Sequence, residues 1–193
     1  MSKVCRIAYS KDLNVGKYNK LQQQADLLGN LRKEIWHRFG SLNGVGANHR
    51  DIRSIWVHTR NFKPLPAKAW KETLRDTLDD IRMYEQAAKK KVRKAIFASN
   101  YSDEEKKELY QLLRSNKWVS NPYLCRKMRK YKRHGRTNVS NQIILEYGVY
   151  QQFIGKDSNR WLKIPSLERR NMLCIPLNSN VKLKGALRII LKD

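Results

Sequence analysis

Acidic side chains are scarce in this sequence. Its 193 residues hold 17 Asp and Glu against 41 Lys and Arg, a formal net charge of +24. No carboxylate occurs between Glu108 and Glu146. Metal-dependent phosphodiester cleavage needs several carboxylates converging on paired cations. Residues 137–193 offer only Glu146, Asp157, Glu168 and Asp193 for that task. Asp76, Asp79 and Asp80 fall on a helical pattern with Arg75 and Arg82 as neighbours, which points to surface ion pairing rather than metal ligation. Cysteine is nearly missing too. Cys5, Cys125 and Cys174 stand far apart, which supports neither a disulfide framework nor a Cys-x-x-Cys zinc knuckle and suits thiols in a reducing cytosol.

Other absences narrow the field further. His37, His49, His58 and His134 form no His-Glu-x-x-His arrangement, and there is neither a Gly-x-x-x-x-Gly-Lys phosphate loop nor a Gly-x-Ser-x-Gly elbow. No apolar run approaches the roughly 18 residues of a spanning helix. Residues 1–10 lack the apolar core and small-residue cleavage site of a signal peptide. There is no internal repeat and no low-complexity segment. The expectation is a cytoplasmic chain with no membrane partner, no metal site and no complete active site.

What is present is a core and an excess of cations. A hydrophobic content of 40% with five Trp argues for a folded chain, and the charge balance points to nucleic acid as the first candidate ligand. The cations are densest at residues 121–136, NPYLCRKMRKYKRHGR. This stretch carries Arg126, Lys127, Arg129, Lys130, Lys132, Arg133 and Arg136, with Tyr123, Tyr131 and His134 interleaved. Such a segment repels itself unless an anion lies against it, and a polyphosphate backbone would supply one. The competing expectation is a solvated linker.

Period decides the elements. Residues 4–10 alternate as a strand, with Cys5, Ile7 and Tyr9 on one face. Residues 15–39 place Tyr18, Leu21, Ala25, Leu28, Ile35 and Phe39 on one helical stripe, with Lys17, Lys20, Arg32 and Arg38 off it. Residues 40–46 are a glycine loop, and Asn48 with Asp51 opens a short helix whose buried edge is Ile52, Ile55 and Trp56. After Pro64 and Pro66, residues 67–98 form the longest helix. Its last turns carry Lys89, Lys90, Lys91, Arg93 and Lys94, which either complement the helix dipole or meet phosphates. Ser102 to Glu105 reads as a capping box for a helix reaching about residue 116. Leu124, Met128 and Tyr131 keep a helical spacing that Gly135 ends.

Beyond Val139 the period becomes that of strands. Residues 143–153 read as one strand, with Ile143, Leu145, Tyr147, Val149 and Phe153 on one face. Short strands follow at 161–164 and 172–177. Residues 181–192 read as the clearest strand, with a bend at Gly185 and with Lys182, Lys184, Arg188 and Lys192 outward. An apolar inner face with a basic outer face is what a small β-barrel offers an oligonucleotide.

This order of elements resembles a known family. A short N-terminal strand leads to the helix ending at Phe39, the Trp56 helix and the helix from Trp70 to Ala98. There follow Tyr147-Gly-Val-Tyr-Gln-Gln-Phe153, Arg160-Trp-Leu-Lys-Ile-Pro-Ser-Leu167, Ile175-Pro-Leu177 and Leu183-Lys-Gly-Ala-Leu-Arg-Ile-Ile190. The chain looks like the N-terminal half of the RNA-guided transposon nucleases (TnpB) and of the small type V CRISPR effectors. The resemblance implies an α+β fold: a helical recognition lobe inserted into a small oligonucleotide-binding-like β-barrel, the wedge domain. Residues 1–13 would be the first barrel strand, 14–136 the lobe ending in a basic hinge, and 137–193 the remaining strands.

It further implies a prokaryotic cytosolic or nucleoid ribonucleoprotein that binds guide RNA and the RNA–DNA heteroduplex through backbone and shape. The expected contacts are Arg126, Lys127, Arg129, Lys130, Tyr131, Lys132, Arg133, His134, Arg136, Lys182, Lys184 and Arg188. A duplex motif beside the target DNA would be read by Asn48, His49, Arg50, Trp70, Lys71 and Arg75. The family's nuclease domain would follow the last strand. The resemblance therefore implies a chain that is not an enzyme by itself, holds no cofactor, and works with a chain carrying the nuclease half, where magnesium would act. The last strand's free edge then predicts association with that chain or with RNA. The alternative is a generic structural RNA- or DNA-binding protein with no nuclease partner.

Overall fold

Two long helices set the frame, and each contributes to more than one core. The computed structural model describes residues 6–10, 13–133, 135, 139–156, 159–168, 170–180 and 182–192. Helix α1, Val15–Phe39, is opened by the Asn14 side chain, which accepts from the Gly16 N–H at 2.7 Å. Its first half buries Leu21, Ala25 and Leu28 against strands, and its second half buries Ile35 and Trp36 against helices. Arg32, expected off the apolar stripe, is 3% exposed, because carboxylates of the neighbouring helix receive it. Helix α2, His49–Thr59, buries Ile52 and Trp56. Ile55, expected on that buried edge, is exposed.

Helix α3, Ala67–Phe97, is the spine. Its first half packs Trp70, Leu74, Leu78 and Ile81 against α1 and α2. Its second half packs Ala88, Val92 and Ile96 against α4, Asp103–Arg114, a 3-10 turn at Lys117–Ser120, and α5, Pro122–Tyr131. The expected capping box is present: the Ser102 hydroxyl accepts from the Glu105 N–H at 3.2 Å, and Glu105 accepts from the Ser102 N–H at 2.8 Å.

The strands are β1 Gln142–Leu145, β2 Gln151–Ile154, β3 Arg160–Pro165, β4 Met172–Pro176 and β5 Leu187–Ile190. They form two antiparallel sheets, β1-β5 and β2-β3-β4. The fold is thus mixed α+β, and the described strands do not close into a barrel, although both sheets line one core with α1. Three expectations are corrected. The single strand over 143–153 is two, separated by a turn in which Gly148 takes φ +85°. Of the strand expected over 181–192, the described residues are regular only at 187–190. Gly185 bends the chain at φ +85°, and side chains satisfy the backbone before it. Gln152 donates to the Leu183 carbonyl (2.9 Å) and accepts from its N–H (2.8 Å), while the Tyr150 hydroxyl donates to the Gly185 carbonyl (2.8 Å). These contacts replace a ladder partner. Third, residues 6–9 are not a strand, and Ile7 and Tyr9 are exposed. The segment still meets the chain just past β4 by a bridge from Ser10 to Leu177 and by the Asn178 N–H donating to the Tyr9 carbonyl at 2.8 Å. Val4, Cys5 and Val181 lie outside the described residues.

One close approach fixes how the chain returns from the helices to β1. A Cβ on Gly29 would lie 2.7 Å from the Val139 carbonyl oxygen and 2.8 Å from the Ser140 Cα. Gly29→Ala gains helix propensity of about 1 kcal/mol but forces backbone apart, which costs about 1–3 kcal/mol. The expected result is a lower urea midpoint, and an unchanged or higher midpoint would show that residues 139–140 can move aside.

Candidate nucleic-acid interface

The basic segment is a built helix over most of its length. Asn121 caps α5 by accepting from the Leu124 N–H at 3.0 Å, Pro122 starts it, and Leu124 and Met128 are fully buried. The helix stops at Tyr131, four residues before Gly135, with the Lys132 N–H donating to the Met128 carbonyl at 2.8 Å. A solvated linker is therefore excluded for 121–131. His134 and Arg136 lie outside the described residues.

α5 runs antiparallel alongside the last turns of α3. The Tyr123 hydroxyl donates to the Ala95 carbonyl at 3.4 Å, whereas Lys132 at the other end lies near Glu85. Arg126, Arg129, Lys130 and Arg133 are exposed on α5 and just beyond it; Lys90, Lys91, Arg93 and Lys94 are exposed on α3. Among the described residues none of these eight is within ion-pair distance of a carboxylate. Lys127 sits over the Tyr123 ring and Lys130 over the Tyr131 ring, 5.5 and 5.9 Å from the centroids. Tyr131 itself is half-buried against the α3–α5 core. Lys132 belongs to the scaffold: its ammonium donates to the Ser41 carbonyl at 3.3 Å, and burial pushes it below the ordinary lysine range, opposed by Glu85. Lys89 is likewise internal, paired with Glu85 at 3.0 Å.

The strand-side cations divide. Lys182 and Lys184 are exposed, whereas Arg188 donates to Asp76 Oδ1 at 2.8 Å. Asp76 and Asp80 also hold Arg32, whose Nη2 donates to Asp76 and whose Nη1 donates to Asp80 at 2.9 Å. With its carboxamide oxygen turned toward Arg32, Gln142 accepts from Nη2 and Nε at 3.1 and 3.2 Å. This network ties α1 and α3 to β1 and β5. Burial and the neighbouring Asp76 raise the Asp80 carboxyl above its ordinary range, against the pull of Arg32. Sequence reasoning missed Arg32 because its partners are 44 and 48 residues away. Asp79 does pair with Arg82, at 3.1 Å, as its spacing suggests.

The six residues expected to read a duplex motif do not form one site. Asn48 spends its side chain capping α2, accepting from the Arg50 N–H at 3.0 Å. With His49 and Arg50 it lines a cleft of about 490 Å³ against Leu78, Arg82, Glu85 and Asn116. Trp70, Lys71 and Arg75 are not in that lining. Trp70 is buried and stacked on Phe62 with centroids 4.0 Å apart, and Lys71 lies over its ring at 5.6 Å. Arg75 pairs with Glu72, and with Glu146 at 3.7 Å. Burial raises the Glu72 carboxyl, with Arg75 acting in the opposite direction.

Among the described residues, no group of three or more His, Cys, Asp or Glu is placed to hold a metal ion. No described helix is long and apolar enough to cross a membrane. No family model, curated protein or solved structure matches the chain.

Proposed function

We propose that this chain is the guide-RNA and RNA–DNA heteroduplex binding half of an RNA-guided DNA-targeting nuclease, without catalytic activity of its own. The observation that carries the reading is the run of exposed cations on α5 and the last turns of α3, with no carboxylate partner among the described residues, on helices joined by a buried core. Phosphates lying along this face would release counterions and relieve its self-repulsion. In this reading the helices are the recognition lobe, and the two sheets around their shared core are an open form of the wedge barrel. Lys182 and Lys184 add phosphate contacts from the strand side, and His49 and Arg50 are the residues left to meet duplex beside the target. A second chain would carry the nuclease half and its magnesium.

The test is affinity for a structured guide-type RNA over a salt series. Each lost phosphate contact reduces the slope of log affinity against log salt by roughly 0.7–0.9. The combined variant Arg126→Gln, Arg129→Gln, Lys130→Gln and Arg133→Gln is therefore expected to flatten the slope by about 3 if all four meet phosphate. An unchanged slope removes α5 as the interface. Equal affinity for structured RNA, hybrid and duplex DNA would favour the generic nucleic-acid-binding reading.

A further inference from the structure

The outer face of the three-stranded sheet carries a feature that the cationic helices do not explain. Residues alternate across β3, so Leu162 and Ile164 enter the core while Trp161, Lys163 and Pro165 take the opposite face. Register sets Phe153 of β2 directly across from Trp161, and Gln151 across from Lys163. The two rings lie nearly parallel, 17° apart with centroids 6.1 Å apart. Lys17, from the first turn of α1, reaches over the Trp161 ring at 5.4 Å. Trp161 is thus engaged by two neighbours. Phe153, on the edge strand of that sheet, keeps 43% of its surface in water.

An exposed Phe at a sheet edge is ordinarily a liability, since edges are blunted with charge. Here the ring is held parallel to a second ring, with the Lys17 ammonium over Trp161 and with Lys163 two residues along β3 on the same face of the sheet. Parallel aromatics with cations beside them match one ligand chemistry: a planar base on the ring and its phosphate on the lysines. A protein partner's apolar patch would not use the lysines, and a fully paired duplex would offer no free base face.

We infer that Phe153, backed by Trp161, is a stacking platform for an unpaired nucleobase of RNA, with Lys17 and Lys163 meeting the adjoining phosphates. The inference rests on the nucleic-acid-binding reading and names a second contact, on the sheet, for single-stranded segments. Stacking of one base is worth about 1–3 kcal/mol by alanine substitution, about 5- to 150-fold in affinity.

The experiment compares Phe153→Ala and Phe153→Trp in the full chain, by fluorescence anisotropy with two probes: a single-stranded oligouridylate and a blunt RNA duplex. Phe153→Ala should weaken oligouridylate binding about 5- to 150-fold and leave duplex binding unchanged, while Phe153→Trp retains both. Because Phe153 is half exposed, its truncation should leave the thermal midpoint close to that of the parent, which the same samples report. Equal losses for both probes, or no loss for the oligouridylate, overturns the platform and leaves the helical interface standing. Failure of the unsubstituted chain to bind either probe overturns both readings.

Discussion

Replacing Arg32 by Met is expected to cost about 3 kcal/mol of folding stability, read as a lower urea midpoint. Removing one partner of a buried ion pair typically costs about 3–5 kcal/mol, because the remaining charge is stranded. The low end applies because the Asp80 side chain keeps 30% of its surface in water and Asp76 retains Arg188. The guanidinium is 3% exposed and joins α1 to α3 and to the β1 side chain Gln142. Its loss therefore loosens the junction between helices and strands as well as one pair. Two companions sharpen the result. Adding Asp80→Asn to Arg32→Met should recover part of the loss, since the carboxamide leaves no charge stranded where burial already disfavours the ionised carboxyl. Asp79→Asn, which breaks the exposed pair with Arg82, should change stability by at most about 1 kcal/mol. An Arg32→Met midpoint equal to that of Asp79→Asn would mean that the junction does not depend on this network.

Trp118→Ala is expected to cost about 3–5 kcal/mol and, on the proposed reading, to weaken RNA binding without removing a single cation. Trp118 is completely buried, on the 3-10 turn between α4 and α5, among Ile96, Leu113, Leu124 and Met128. Truncation leaves a cavity at the point where α5 is fastened to α3, so hydrogen exchange should rise in α4 and α5 before it rises in α1. The basic side chains then sit on a helix that moves, and ordering it on RNA draws on the binding energy. Trp118→Phe should cost much less, because the indole N–H has no acceptor among the described residues and its loss strands no partner. If Trp118→Ala retained full RNA affinity at temperatures well below its midpoint, a rigid α5 would not be needed for binding.

Local signals read well along this chain. The Ser102–Glu105 capping box, the 3.6-residue period of α3 and the Leu124–Met128 stripe each depend on residues within a few positions of one another, and each is present in the fold. The strand half read less well. Residues 143–153 and 181–192 alternate smoothly, yet Gly148 and Gly185 turn the backbone at positive φ and interrupt both. Alternation reports which face is apolar, not whether a neighbouring backbone is available to pair. At Leu183 the partner is the Gln152 carboxamide, a contact with no local signature.

The candidate interface divides in the same way. Cation density marked α5, and the exposed part of that density remains Arg126, Arg129, Lys130 and Arg133. Composition could not separate these from Lys132, turned to the Ser41 carbonyl, or from Arg188, held by Asp76. Nor could it show that Trp70 stacks on Phe62 inside the core. By itself the sequence determined the charge, the helices and the Asn48 and Ser102 caps, because these follow from composition and from neighbours within a turn. Only the tertiary structure decided which cations are spent on internal carboxylates and carbonyls and which face water. It also decided that Phe153 and Trp161 stand side by side. Those outcomes depend on register and on partners brought together from distant parts of the chain, where a side chain's role is set by what is packed against it.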